Sequence, residues 1–330
     1  MSTKEKLQYV RVAPEKIDRF QSLFARAFQA PPPGYFKWKY LDNPAGHAVA
    51  YEALDGNTIA GFYGAMPELW MVRGNPVTLF QSMDTMTDPD YRGRGLFTDL
   101  AKLTMKAISD EHSGWMIGFP GHTSIGGFVT KLGWKDIAHV TIRFSLRQVL
   151  ALKAAFRKGI QFELEPVHRA GPDFDYYWSR REARPLEIQK QYSAQFLNWR
   201  VFDQPGNRSQ VHYVRVNGEI SGVIVHQSDS NALRVQMWDF LNPELYAGCT
   251  AAVLSSLARR SNTTWVEMYE PNLPWARRAC VSAGMVVNPL GRWRFSHHPP
   301  YIVWAGGSSR VDSDIFKCAN YDMHWLVLDN

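Results

Sequence analysis

The chain has 330 residues, long for one compact domain and suited to two, and 45% of them are hydrophobic, which permits ordinary packed cores and excludes a disordered chain. The formal charge of +6 comes partly from scattered pairs, Arg180-Arg181, Arg259-Arg260 and Arg277-Arg278, rather than one basic stripe with interleaved aromatics, so no nucleic-acid partner is expected. Cys249, Cys280 and Cys318 lack metal-ligand spacing, the start is polar, and no apolar run approaches a membrane span; the expectation is a cytoplasmic protein with free thiols, no metal and no membrane segment.

In chain order, the first distinctive segment is Tyr35-Phe-Lys-Trp38-Lys-Tyr-Leu-Asp42-Asn-Pro44, followed by a hairpin turn at Leu54-Asp-Gly56. Thr78 to Thr87 is short and loosely alternating, as a strand should be. Next comes Asp88-Pro-Asp-Tyr-Arg92-Gly93-Arg94-Gly95-Leu96-Phe97, two glycines and two arginines at a strand-to-helix turn. Such a turn aims backbone N–H groups, a helix N-terminus and positive side chains at one spot, and its natural guest is an anion such as a pyrophosphate. Leu96, Leu100, Ala101, Thr104, Met105 and Ile108 then fall on one helical face. A strand is expected at Trp115 to Phe119, and a short helix through Phe128 ending at Leu132-Gly133-Trp134. Phe144 to Lys158 reads as a strand end and a basic helix, and Ile160 to Val167 as the strand opening a second module.

The second half echoes the first. Phe196-Leu-Asn-Trp199-Arg-Val-Phe-Asp203-Gln-Pro205 repeats the earlier segment, with proline six residues after tryptophan in both copies. Val216-Asn-Gly218 parallels the hairpin at Gly56, Trp238-Asp239 parallels Met83-Asp84, and Ala283-Gly284-Met285 parallels Leu132-Gly133-Trp134. This common order argues for duplication. The second copy carries Asn242-Pro-Glu-Leu-Tyr-Ala-Gly248 where the glycine-arginine loop should stand, so it offers no anion cradle. The tail from Tyr301 to Asn330 is aromatic and reads as strand-rich; Asp312 and Asp314 in it read as a solvated turn, with two carboxylates near the cleft as the alternative, and His297-His298 before it reads as a surface turn.

The loop Arg92 to Phe97, the Leu132-Gly133-Trp134 element, the strand Tyr9 to Val12 and the helix Pro14 to Phe28 resemble the Gcn5-related N-acetyltransferase (GNAT) superfamily over roughly residues 8–145. Arg92, Gly93, Arg94 and Gly95 match the family's acyl-CoA loop; Phe97 stands where the family has a small residue. The resemblance implies an α/β fold of tandem GNAT-like modules, 1–147 and 148–330, each a mixed, mostly antiparallel sheet flanked by helices. It implies acetyl-CoA or another acyl-CoA as co-substrate, held by Met86, Thr87, Arg92, Gly93, Arg94, Gly95, Leu96 and Phe97. The activity it implies is N-acyl transfer to a small-molecule amine, with an amino sugar or sugar nucleotide as the preferred acceptor class. A peptide or aminoglycoside acetyltransferase, a tRNA-dependent aminoacyl transferase and a non-catalytic CoA-binding protein stay open. The family's proton-donating tyrosine falls at Val129, beside Phe128, and its glutamate falls near Ile117; neither is present. Ser124 and His122 are the nearest polar substitutes, and Asp84, just before the loop, is the candidate base, with pairing to an arginine as its structural alternative.

Overall fold

The computed structural model describes residues 7–121, 123–139, 141–156, 159–181, 187–229, 231–270, 272–287, 300–306, 313–317 and 321–322. Two compact units emerge, one from Met1–Ala138, Gln204–Gly206 and Pro299–Cys318, the other from His139–Asp203, Asn207–His298 and Ala319–Asn330.

The first unit begins with β1 (Gln8–Arg11), a 3₁₀ turn (Pro14–Phe20), α1 (Gln21–Ala27) and α2 (Tyr35–Tyr40). The buried residues Ile17, Phe20 and Leu23 recur every third position, the period of a 3₁₀ rather than an α-helix, so Pro14 to Phe28 is not one continuous α-helix. Then come β2 (Val49–Asp55), β3 (Thr58–Val72) and β4 (Asn75–Thr87). Two-residue loops join them: Gly56 supplies the positive φ of the first, and Arg73 and Gly74 both adopt positive φ in the second. The helix α3 (Leu96–Glu111) buries the face predicted by its spacing, including Leu96, Leu100, Met105 and Ile108. Each large apolar side chain so buried contributes about 1.5–3 kcal/mol. It crosses to β5 (Trp115–Gly118), which lies parallel to β4; α4 (Ile125–Leu132), stopped by left-handed Gly133, leads into β6 (Lys135–His139).

The second unit contains β7 (Ile142–Leu146), α5 (Arg147–Ala155), β8 (Glu163–Val167), α6 (Pro172–Ser179), β9 (Ile188–Lys190) and α7 (Ala194–Leu197). It continues with β10 (Gln210–Val216), β11 (Glu219–Asp229), β12 (Ala232–Phe240), α8 (Pro243–Arg260), β13 (Trp265–Tyr269), α9 (Pro274–Ser282) and β14 (Val286–Val287). The last strands of the chain are β15 (Pro300–Ala305), which belongs to the first unit, and β16 (Tyr321–Asp322), which belongs to the second and is parallel to β9.

Both main sheets follow one plan. The first runs β1-β2-β3-β4-β5-β15-β6 and the second β8-β10-β11-β12-β13-β7-β14. In each, four antiparallel strands precede one parallel step, bridged by α3 or α8. The strand after that step is exchanged. β7 follows β6 in the chain but pairs with β13, while β15, from the end of the chain, pairs with β5.

Candidate active site

The turn before α3 is braced from below and open above. The Asp88 side chain accepts the Asp90 amide at 3.0 Å, and Arg26 bonds Asp88 Oδ2 at 2.5 Å and Asp90 Oδ2 at 3.3 Å. Gly93 and Gly95 have φ of +76° and +82°, values that a side chain disfavours. No amide from Gly93 to Phe97 finds a hydrogen-bond partner among the described residues, and α3 has no side-chain cap. Nothing lies within 4 Å of where a Cβ on Gly93 would stand. Arg94 stacks on Tyr91 with its guanidinium carbon 4.7 Å from the ring centroid, whereas Arg92 is exposed and pairs with no described residue. Five amides without a partner among the described residues, a helix N-terminus and an exposed cation are the groups that favour an anion.

The turn adjoins a gap in the sheet. β4 pairs with β5 only from Phe80 to Ser82, so Met83 to Thr87, including Met86 and Thr87, borders the cleft without a strand partner on that side. Ser82, at the last paired position, shares a 2.6 Å hydrogen bond with Tyr63, whose burial raises its pKa and keeps it protonated. Phe97 fits the crowded loop position because α4 presents Gly127: a Cβ there would lie 2.7 Å from the Phe97 ring, which also meets Phe128 edge-on at 5.1 Å.

Among the described residues Asp84 meets a lysine and a tyrosine. Lys39 Nζ lies 2.9 Å from its Oδ2 and the Tyr40 hydroxyl donates to Oδ2 at 2.5 Å, with the Lys39 side chain only 1% exposed. Sequence reasoning missed Lys39 and Tyr40. One signal was available: both repeat copies carry a cation directly after the tryptophan, Lys39 and Arg200, and both cations are buried. Ser124 sits at the N-terminus of α4 and donates to the Gly121 carbonyl at 3.1 Å; His122 lies outside the described residues. At the other positions of interest on α4, Phe128 is buried and Val129 exposed. Ile117, near the position of the family's glutamate, is a fully buried β5 residue.

In the second unit the corresponding helix start is closed. Asn242 accepts the Leu245 amide at 3.0 Å, and Pro243 has no N–H to offer. Gly248 is a packing glycine, its hypothetical Cβ 2.7 Å from Ile160. Burial pushes the Cys249 thiol up to about 11 and the Cys280 thiol up to about 12, removing both from consideration as nucleophiles at neutral pH. Among the described residues no three His, Cys, Asp or Glu side chains converge as metal ligands, and no helix is long and apolar enough to cross a membrane.

The strand–loop–helix turn before α3 and the short β4–β5 pairing beside it lie within a segment that matches a known family model. Residues 8–137 match the family model described as an acetyltransferase (GNAT) domain. The fold of the chain is similar to that of an Enterococcus faecalis protein described as of unknown function and a probable N-acyltransferase (13% identity, TM-score 0.68, covering 91% of this chain and 73% of that one). It is also similar to a GCN5-related N-acetyltransferase from Anabaena variabilis (13%, 0.65, 90% and 72%). Saccharomyces cerevisiae N-myristoyltransferase with bound myristoyl-CoA shares the fold at 8% identity, with TM-score 0.60, covering 92% of this chain and 80% of that one. No curated protein sequence matches the chain.

Proposed function

We propose that the protein transfers an acyl group, acetyl in the simplest case, from acyl-CoA to the amine of a small molecule by direct attack in a ternary complex. The observation that carries this reading is the asymmetry between helix starts: the amides of Gly93 to Phe97 are unsatisfied, while the start of α8 is capped by Asn242. One CoA per chain follows, its pyrophosphate on Gly93 to Phe97 with Arg92 beside it. The pantetheine arm then runs along the unpaired edge at Met86 and Thr87, which brings the thioester toward the splay beyond Ser82. There the amine nitrogen attacks the carbonyl carbon, the C–S bond breaks, and the CoA thiolate takes up a proton while the amine loses one. Positioning does most of this work. An amino sugar or sugar nucleotide is our preferred acceptor class.

Calorimetry with CoA tests the reading. The expected result is one site per chain and, for Gly95→Trp, a loss of about a hundredfold or more in affinity, because each charge-assisted hydrogen bond is worth about 1.5–3 kcal/mol. Two equivalent sites, or none in the folded protein, would refute it. The absence of a hydroxyl at Phe128 and Val129 favours a second reading, a CoA-binding protein without turnover. Release of free CoA in the presence of amino sugars, aminoglycosides, polyamines and peptides separates the two.

A further inference from the structure

Asp84 holds a backbone conformation that aspartate seldom adopts. Its φ is +50°, in the left-handed region. It lies where the β3–β4 register skips, so that Asp84 and Thr85 together oppose the one residue between Phe62 and Gly64. The extra residue of such a bulge is unpaired and re-aims the strand. This bulge falls just beyond Ser82, where β4 loses its β5 partner, and therefore shapes the edge that borders the cleft. A strained residue in such a place persists only when its surroundings over-determine it.

Here the surroundings do so. Lys39 Nζ donates to Oδ1 at 3.0 Å, approaches Oδ2 at 2.9 Å, and donates to the Tyr35 hydroxyl at 3.2 Å. The Tyr40 hydroxyl closes on Oδ2 from the next residue of α2. Gly64 makes room for this grip, since a Cβ there would stand 2.9 Å from the Tyr40 hydroxyl. Both Asp84 oxygens are thus engaged, and the carboxylate takes no proton from an amine without breaking a buried ion pair.

We propose that Lys39 and Tyr40 are positioning residues for acyl transfer, which fix the β4 bulge through Asp84 and thereby the backbone groups that face the thioester. This rests on the acyl-transfer reading above. Asp84 then acts by its shape and its partners rather than as the base.

The test uses Tyr40→Phe, Lys39→Met and the double variant Lys39→Met with Asp84→Gly, since glycine takes a positive φ without any grip. Tyr40→Phe leaves the ion pair in place and serves if Lys39→Met does not fold. Both single variants should speed amide hydrogen exchange at residues 83–87 of the ligand-free protein by about tenfold or more. They should also lower kcat with acetyl-CoA and the best amine of the panel by about tenfold or more, while the calorimetric Kd for CoA moves by less than about threefold. The double variant should recover most of the lost kcat. Unchanged exchange at 83–87 in the single variants would overturn the proposal. So would a double variant with normal exchange and no recovered turnover, which would make the carboxylate itself the chemical group. A wild-type protein that binds CoA but releases none with any amine would instead refute the transfer reading, with exchange still deciding whether the grip holds the bulge.

Discussion

Gly127 and Phe97 are a matched pair, one giving up a side chain so that the other can lie between α3 and α4. Adding a methyl group with Gly127→Ala forces the ring aside, and overpacking of this kind costs about 1–3 kcal/mol. Because the proposed CoA site includes the Phe97 amide, we expect weaker CoA binding from Gly127→Ala, and recovery when Phe97→Leu is added; calorimetry on the two variants checks this. A second residue-scale expectation concerns His226, stacked on His212 in the second unit with Nε2 3.2 Å from its neighbour's Nδ1. Burial, with the neighbouring His212 adding to it, lowers the His226 pKa to about 3, and burial lowers that of His212 as well. The folded protein therefore binds fewer protons than the unfolded chain, so stability present above the unfolded value of about 6.5 is lost as pH falls toward 3. The loss from His226 alone approaches about 1.4 kcal/mol per pH unit well below 6.5. His226→Phe should flatten the decline of Tm between neutral pH and pH 4.5 or so; an unchanged slope would show that other groups govern it. At this scale the loop was legible because glycine and arginine act locally. The Lys39–Asp84 pair was not, because 45 residues separate its members and no local pattern announces the contact.

Among elements, the two helix starts make opposite demands on their first residues. Asn242→Ala should lower stability by about 1 kcal/mol, the usual worth of a side-chain cap, and leave CoA affinity untouched. Thermal denaturation and calorimetry on one sample decide it; weakened CoA binding would mean that the second helix start takes part in the site. Element positions followed the sequence where a rule is local. The apolar spacing of α3 and the turn glycines Gly56 and Gly218 each settle their own few residues. The rule failed at Pro14 to Phe28, where a proline start suggested one helix while a three-residue burial period produced a 3₁₀ turn before α1. Nor did the sequence disclose the bulge at Asp84, since Thr78 to Thr87 alternates too loosely to reveal one extra residue.

For the whole molecule, the repeat was readable from Trp38 and Trp199 and their neighbours, but the exchange of β7 and β15 was not. A strand of five or six residues carries the same alternation whichever sheet receives it. The exchange makes a firm expectation. A fragment ending at residue 140, before β7, has β5 and β6 without the strand that separates them, so it should be insoluble or molten, with near-ultraviolet circular dichroism lost. Appending residues 299–318 through a flexible linker should restore a cooperative thermal transition. A fragment that folds cooperatively without them would show that β15 is dispensable to the first sheet.

The same exchange sets a timetable for the ribosome. The slot beside β5 stays vacant while about 160 further residues are made, roughly ten to thirty seconds at bacterial-to-eukaryotic elongation rates. Throughout that interval the strand nearest to hand is β7, which leaves the exit tunnel directly after β6 and has the length to fill the gap. A nascent chain that accepts it must later give it up to β13 when the second half arrives. Synthesis thus passes a decision point between an unexchanged and an exchanged pairing, and chains stalled near residue 200 should protect β7 from protease in the company of β5 rather than of β13.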